Sequence, residues 1–545
     1  MIKKISINFL FLMLMIDVVF ATLFNIPVWM HLFNIINNLD GVKLGFIISL
    51  PVFLISALNF VFTPFSFRYI FKPFFCILFI CSSIVTYATM KYGVQFDKTM
   101  MQNIFETNAG EMTSYFNMSV VLWFLFTGIL PCGLLSLVNI RYPETWIKGI
   151  IYRLISMFAS LLIIFAIAFF FYKDYASVGR NNSSLNKEII PTNYIYSGFK
   201  YVRDFFVSPG EFRQTGTDAS RTINEKQKPV IMFLVVGETA RSQNYALNGY
   251  SRGTNDFTKK YNELISFHNV QSCGTSTAIS VPCMFSDMKR KEFNSRKAVN
   301  SENVLDILYR TGVNLLWIEN DGGCKGVGGC KGVCKRIPTI NIEPSNSDNT
   351  LCKKNSCYDE VMLKNIDEYI NNNSEDKLIV FHLMGSHGPT YYLRYPEPHK
   401  YFKPTCDRSD IENCTHEQLI NTYDNTIRYT DYIISKLIDK LIEYKDEYDT
   451  VLLYVSDHGE SLGENGLYLH GTPYNVAPAE QTHVPLITWM SPGFVSSKKI
   501  DLNCLSEHAL NRTVSHDNIF SSLLGLWNVN TSVYNKEDDI ISSCR

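Results

Sequence analysis

The sequence has almost no excess charge of either sign. Its 50 lysines and arginines face 51 aspartates and glutamates, for a formal net charge of -1. That balance gives no electrostatic reason to expect nucleic acid as a partner. The first third is poor in charge. Its apolar runs also lack the polar stripe of a helix packed against a single core, which excludes ordinary core helices. No convincing small-residue cleavage site follows the first run, so a retained anchor is expected there rather than a removed leader. Internal repetition is confined to a tandem "GGCKGV" at 322–327 and 328–333. That is too short for a solenoid and reads as a small duplication in a glycine-rich loop.

What the first third does contain is five apolar runs: "ISINFLFLMLMIDVVFATLF", "LGFIISLPVFLISALNFVF", "FFCILFICSSIVTYATM", "SVVLWFLFTGILPCGLLSLV" and "LISMFASLLIIFAIAFFFY". Each has roughly the 17–25 residues that carry a helix across a bilayer core. Lys3 and Lys4 precede the first run, Arg68 and Lys72 separate the second from the third, and Arg141, Lys148 and Arg153 lie between the fourth and the fifth. These segments fall on one side, the cytoplasmic one by the positive-inside rule, with Lys43, Lys91 and Lys98 as minority exceptions. Everything after about Tyr175 is then expected outside the cytoplasm.

The cysteines agree with that compartment. Of 14, Cys76, Cys81 and Cys132 sit in apolar runs, and the rest lie in the polar part. Several form close pairs: Cys273/Cys283, Cys330/Cys334, Cys352/Cys357 and Cys406/Cys414. Disulfides are expected in an oxidising space, and near-metal spacing is limited to two of the pairs. The pairing of Cys324, Cys504 and Cys544 is open.

The chain divides into a membrane domain (1–172), a bridging segment (173–228) and a soluble domain (229–545). The bridge contains "NYIYSGFKYVRDFF", which suits either an interfacial helix or an ordinary linker helix. In the soluble domain, short continuous apolar runs alternate with helical stretches. The runs are "PVIMFLVVGETAR", "GVNLLWIEN", "KLIVFHLMGSHG", "TVLLYVSDHGES" and "HVPLITW". This pattern indicates an α/β fold with a mostly parallel sheet flanked by helices.

Ligands in such folds bind beyond the carboxyl ends of the strands. Glu238, His382, His387, Asp457 and His458 fall at or just past strand ends, with His470 further on. Carboxylate and imidazole together suit zinc, which often keeps an open position in catalytic sites. A hydroxyl there would lose its proton more easily and become a nucleophile. "CGTSTAISVPC" offers Thr275, Ser276, Thr277 and Ser280, and the pattern alone does not choose among them.

The stretches "VVGETARSQNYALNGY", "CGTSTAISVPCMFS", "CKGVC", "TYDN" and "YVSDHGESLGENGLYLHG" closely resemble the phosphoethanolamine transferases that modify lipid A, including the mobile colistin-resistance enzymes. The resemblance covers nearly the whole chain. It implies five transmembrane helices and an exported alkaline-phosphatase-like (sulfatase-like) domain. The expected setting is a bacterial inner membrane, with a cytoplasmic N-terminus and a periplasmic catalytic domain.

Carried over by position, the resemblance implies one tightly bound zinc on Glu238, Thr277, Asp457 and His458, with Thr277 as nucleophile. His387 and His470 match catalytic positions that contact the phosphoethanolamine group or a second zinc. His382 matches a neighbouring position and is counted with the substrate-binding residues. Asn103, Thr107 and Glu111 match a lipid-donor pattern, and their i, i+4, i+8 spacing would put them on one helix face. The duplication departs from the family. Either Lys325 or Lys331 could meet the substrate head group, with Lys331 taken here, and Cys324 becomes an extra thiol. The implied reaction takes phosphatidylethanolamine as donor and lipid A as acceptor, by a protein that acts as a monomer. A core sugar of lipopolysaccharide is the alternative acceptor. A plain extracytoplasmic phosphatase or sulfatase and a membrane binding protein with a decayed site are the other readings.

Overall fold

The computed structural model describes residues 5–37, 43–107, 109–181, 185, 187–206, 211–222, 227–323, 332–344, 350–353 and 356–545. The chain forms two compact units. One comprises 1–101 and 116–202, the other 102–115 and 203–545.

Among the described residues of the first unit, four helices are long and apolar enough to cross a membrane: Leu44–Phe65, Phe71–Tyr92, Met118–Leu137 and Trp146–Ala176. The first expected span is a helix pair, Phe9–Phe24 and Ile26–Asn37, bent by 61°. The break has a local cause. Pro27 cannot donate a backbone hydrogen bond at the start of the second helix. The buried Asn25 amide instead donates to the carbonyls of Phe20 (2.8 Å) and Ile190 (2.7 Å). A polar knot ties three apolar runs together. Asn59 donates to the buried Asp17 carboxylate at 2.7 Å and accepts from Ser156 and Ser160 at 2.9 and 3.0 Å. Without such partners these groups would be costly among apolar helices. The bridging stretch is helical over Thr192–Phe206.

The second unit is built on a seven-stranded sheet. Its strands in chain order are β1 (Val230–Gly237), β2 (Leu264–Phe267), β3 (Asn314–Glu319), β4 (Thr339–Asn341), β5 (Lys377–His382), β6 (Asp449–Ser456) and β7 (Leu486–Met490). The spatial order is β2-β7-β6-β1-β5-β3-β4. Only β7 runs against the others. Every residue of β1, β5 and β6 is buried, which is why these strands read as unbroken apolar runs. β2 and β4 were not expected from the sequence. Both are short and sit at the sheet edges, where a half-exposed strand carries little apolar signal.

Two helices frame the site. α1 (Thr277–Met284) starts after Ser276, whose backbone is extended. α2 (His416–Glu443) opens on a capping box in which Thr415 and Gln418 satisfy each other's backbone amides. Among the described residues, disulfides join Cys273 to Cys283, Cys352 to Cys357, Cys406 to Cys414 and Cys504 to Cys544. Cys334 is also disulfide-bonded. Cys324, Cys330, Lys325 and Lys331 lie outside the described residues.

Candidate active site

Strand register assembles the site. Ser456 of β6 pairs with Gly237 of β1, so Asp457, His458 and Glu238 leave neighbouring strands at one level. His382, the last residue of β5, pairs with Val236 on one side and Glu319 on the other. All of these are buried at the carboxyl edge of the parallel strands, where an open α/β sheet presents its ligands.

Of the four candidate hydroxyls, the structure turns one toward the carboxylates. Thr277 Oγ1 donates to Glu238 Oε2 at 3.1 Å, with Oε1 at 3.2 Å, and lies 3.4 Å from His458 Nε2. Thr275 donates to the Thr472 carbonyl, and Ser280 donates to the Asp457 carbonyl. The Ser276 hydroxyl is buried without a partner. Thr277 is also the first residue of α1, where unsatisfied amides and the helix dipole favour an anion.

The donor set fits a divalent cation. One ligand atom from each of Glu238, Asp457 and His458 lies within 4.8 Å of the others. His458 Nδ1 lies 2.9 Å from the Gly459 carbonyl, which can only accept, so Nε2 carries the lone pair. That Nε2 is 3.3 Å from Asp457 Oδ2 and 3.5 Å from Glu238 Oε1. Asp457 Oδ2 is buried and receives no hydrogen bond. Burial and the facing Asp457 raise the Glu238 carboxyl, and burial raises that of Asp457. Burial, then the neighbouring His470, pushes His458 down to about 3. Two buried carboxylates facing a neutral imidazole are what a cation relieves.

Histidines line one side. The His470 ring is 4.4 Å from that of His458 and 5.9 Å from that of His387, measured between centroids. His470 Nδ1 lies 3.2 Å from Glu460 Oε1. Burial opposes protonation of His470, but the Glu460 charge outweighs it and raises the ring. His382 is fully buried, with Nδ1 2.8 Å from Glu319 Oε2. There too, burial is outweighed by the carboxylate, and His382 rises to about 9.

Several supporting residues had no role assigned from the sequence. Thr239, directly after Glu238, has φ +59°, an outlier for a β-branched residue. Its amide donates to Asp457 Oδ1 at 3.0 Å and its hydroxyl to Glu238 Oε1 at 2.6 Å. Tyr423, on α2 within "TYDN", secures this turn. Its hydroxyl donates to the Thr239 carbonyl at 2.7 Å and accepts from the Arg241 amide at 3.0 Å. A Cβ at Gly385 would fall 2.7 Å from the Glu238 carbonyl oxygen, at a backbone φ of +47°.

Asn103, Thr107 and Glu111 are placed differently from expectation. The helix carrying Asn103 ends at Glu106, and a second helix runs Ala109–Ser114, so Asn103, Thr107 and Glu111 do not share one unbroken helix face. The Thr107 hydroxyl turns back to the Asn103 carbonyl at 2.7 Å, a local bond that competes with helix continuation. The Glu111 side chain lies outside the described residues. Gln102, in the same unit as α1, brings its amide to 3.5 Å from the Ala278 carbonyl. Pro282 cannot serve that carbonyl, four residues before it in α1, because it has no N–H.

Comparison with known proteins matches this arrangement. The family model described as Phosphoethanolamine transferase EptA/EptB matches residues 54–205, and the Sulfatase model matches 231–529. The chain is 42% identical over 501 residues to phosphoethanolamine transferase EptA of Escherichia coli (strain K12), covering 91% of this chain and 90% of the relative. It is 37% identical over 498 residues to phosphatidylethanolamine transferase Mcr-1 of Escherichia coli, covering 89% of each. The solved structure of the integral membrane lipooligosaccharide phosphoethanolamine transferase A (EptA) from Neisseria meningitidis matches with a TM-score of 0.94 at 37% identity, covering 100% of both chains. With membrane helices, a sulfatase-like sheet and a buried threonine, carboxylate and histidine cluster in one chain, the protein belongs to the phosphoethanolamine transferase family.

Proposed function

We propose that this protein moves phosphoethanolamine from phosphatidylethanolamine to a phosphate group of lipid A, through a covalent intermediate on Thr277. The observation that carries this reading is the Thr277 hydroxyl, held at the start of α1 and facing Glu238 and His458. The relatives named for phosphoethanolamine and phosphatidylethanolamine transfer supply the substrate class.

Glu238, Asp457 and His458 would hold a zinc ion, with Thr277 at its open position. Zinc bound there supplies charge neutralisation at the phosphoryl group and a lower pKa for a neighbouring hydroxyl. The residues of the chain do the rest. Glu238 accepts the Thr277 hydrogen bond and fixes the direction of Oγ1. Oγ1 passes its proton to the facing Glu238 carboxylate and attacks phosphorus in line with the glycerol oxygen, the phosphorus–oxygen bond to glycerol breaks, and diacylglycerol leaves with a proton. His470, kept ready for protonation by Glu460, donates that proton, and His387 lies beside it. A lipid A phosphate oxygen then attacks the same phosphorus, giving its proton to His470; the phosphorus–Oγ1 bond breaks and Thr277 takes back the proton held by Glu238. The amides at the start of α1 favour the anionic phosphoryl group throughout.

The positive-inside distribution of Lys3, Lys4, Arg68, Lys72, Arg141 and Lys148 supports a periplasmic catalytic domain on an inner-membrane anchor. The added amine offsets lipid A phosphate charge, which lowers affinity for cationic peptides such as polymyxin. The protein acts as a monomer. Mass spectrometry of lipid A from cells expressing the protein tests the reading. Phosphoethanolamine on a lipid A phosphate is expected. Unmodified lipid A with a modified core sugar would contradict the acceptor.

A further inference from the structure

We propose that Glu238, Asp321 and His382 hold a second divalent cation, with Glu238 shared between two ions. One ligand atom from each of the three lies within 4.8 Å of the others, and all three side chains are fully buried. The group lies on the β3–β5 side of Glu238. It uses neither Asp457 nor His458, and neither His387 nor His470.

Its geometry is built by strand pairing. His382 and Glu319 are directly paired on β5 and β3, and Asp321 follows two residues after Glu319. The Glu319 carboxylate accepts from the Trp317 indole at 2.9 Å and from the Asp321 amide at 2.7 Å. It is therefore held as an acceptor, and His382 Nδ1, 2.8 Å away, is the donor to it. This leaves Nε2 as the ring atom free for another partner, and Nε2 is buried with no hydrogen-bond partner. A histidine oriented by a carboxylate through one nitrogen and presenting the other is the usual support of a metal ligand. Two carboxylates and one imidazole suit zinc.

A shared carboxylate is how two ions are brought close enough to act on one phosphoryl group. Here it would restrain Glu238, the residue that orients Thr277. This assigns His382 to an ion rather than to substrate. The competing occupant of the same space is a proton on Nε2 facing the two carboxylates.

Metal counting separates the two without recourse to activity. The full-length protein in detergent is stripped by chelation, reloaded with zinc, and weighed for zinc per chain by mass spectrometry of the element. Asp321→Asn and His382→Leu are each expected to hold one equivalent fewer than the wild type. The double variant should lose no more than either single one, because both serve one ion. Zinc content equal to wild type in the single variants would overturn the proposal, as would additive losses in the double variant. Circular dichroism and thermal unfolding monitor folding. Asp321→Asn preserves side-chain volume and carries the test if His382→Leu does not fold.

Discussion

The Thr277 hydroxyl and the Glu238 carboxylate lie 3.1 Å apart, joined across the edge of the sheet from the start of α1 to the end of β1. Thr277→Ala removes the hydroxyl but keeps the backbone of α1, so folding should persist while transfer falls by about 10³-fold or more. Thr277→Ser keeps an oxygen but loses the methyl that restricts χ1, and should retain partial activity. Single-turnover transfer of a labelled headgroup measures both.

The strained turn at Thr239 should depend on Tyr423. Tyr423→Phe removes the hydroxyl that serves the Thr239 carbonyl and the Arg241 amide. Leaving buried backbone groups unpaired should destabilise the soluble domain by about 1–3 kcal/mol. Urea unfolding should show a lower midpoint at an unchanged slope. Transfer should fall as well, because Thr239 holds both Asp457 and Glu238.

Gly385→Ala is a test of close packing behind Glu238. The new Cβ meets the Glu238 carbonyl oxygen at 2.7 Å in a backbone region costly for alanine. A loss of about 1–3 kcal/mol is expected. Zinc affinity should weaken together with stability, since relief of the clash moves Glu238. Unchanged affinity, measured by competition with a chelator, would show that the backbone of Glu238 is not what positions its carboxylate.

The carboxyls of Glu238 and Asp457 lie above the ordinary range, because of burial and, for Glu238, the facing Asp457. A folded pKa above the unfolded one gives stability at low pH that is lost as pH rises through the folded value. The metal-free protein should therefore lose stability as pH rises past the carboxylate range, and zinc should restore it. Zinc binding should release protons, more of them at pH 6 than at pH 8. His458, held at about 3, contributes none in this window. Calorimetry in buffers of different ionisation enthalpy counts the protons. The His382→Leu variant isolates the ion near Thr277.

The strands that carry the chemistry were legible because they are buried on both faces. Val230–Gly237 and Asp449–Ser456 read as apolar runs ending in polar residues, and those endings became Glu238, Asp457 and His458. The hydroxyl was not legible from pattern. Thr275 and Ser276 precede α1 while Thr277 and Ser280 lie on it, a boundary the pattern does not reveal, and resemblance alone singles out Thr277. Glu319 and Asp321 were missed because each is one polar residue outside any quoted motif, and Thr239 and Tyr423, though inside "VVGETAR" and "TYDN", gain a role only once register and turn geometry are known. The expected helix face of Asn103, Thr107 and Glu111 failed for a local reason, since spacing does not reveal that one helix ends at Glu106 and another starts at Ala109. The Cys504–Cys544 bridge closes 40 residues of sequence, a separation that no short motif reveals.

The most direct measurement is the mass of the Thr277 peptide after the purified protein meets phosphatidylethanolamine without an acceptor. The proposed mechanism predicts one phosphoethanolamine group on Thr277, absent in Thr277→Ala and lost when lipid A is added. An adduct that survives in Thr277→Ala, or that never forms while lipid A is still modified, would contradict it.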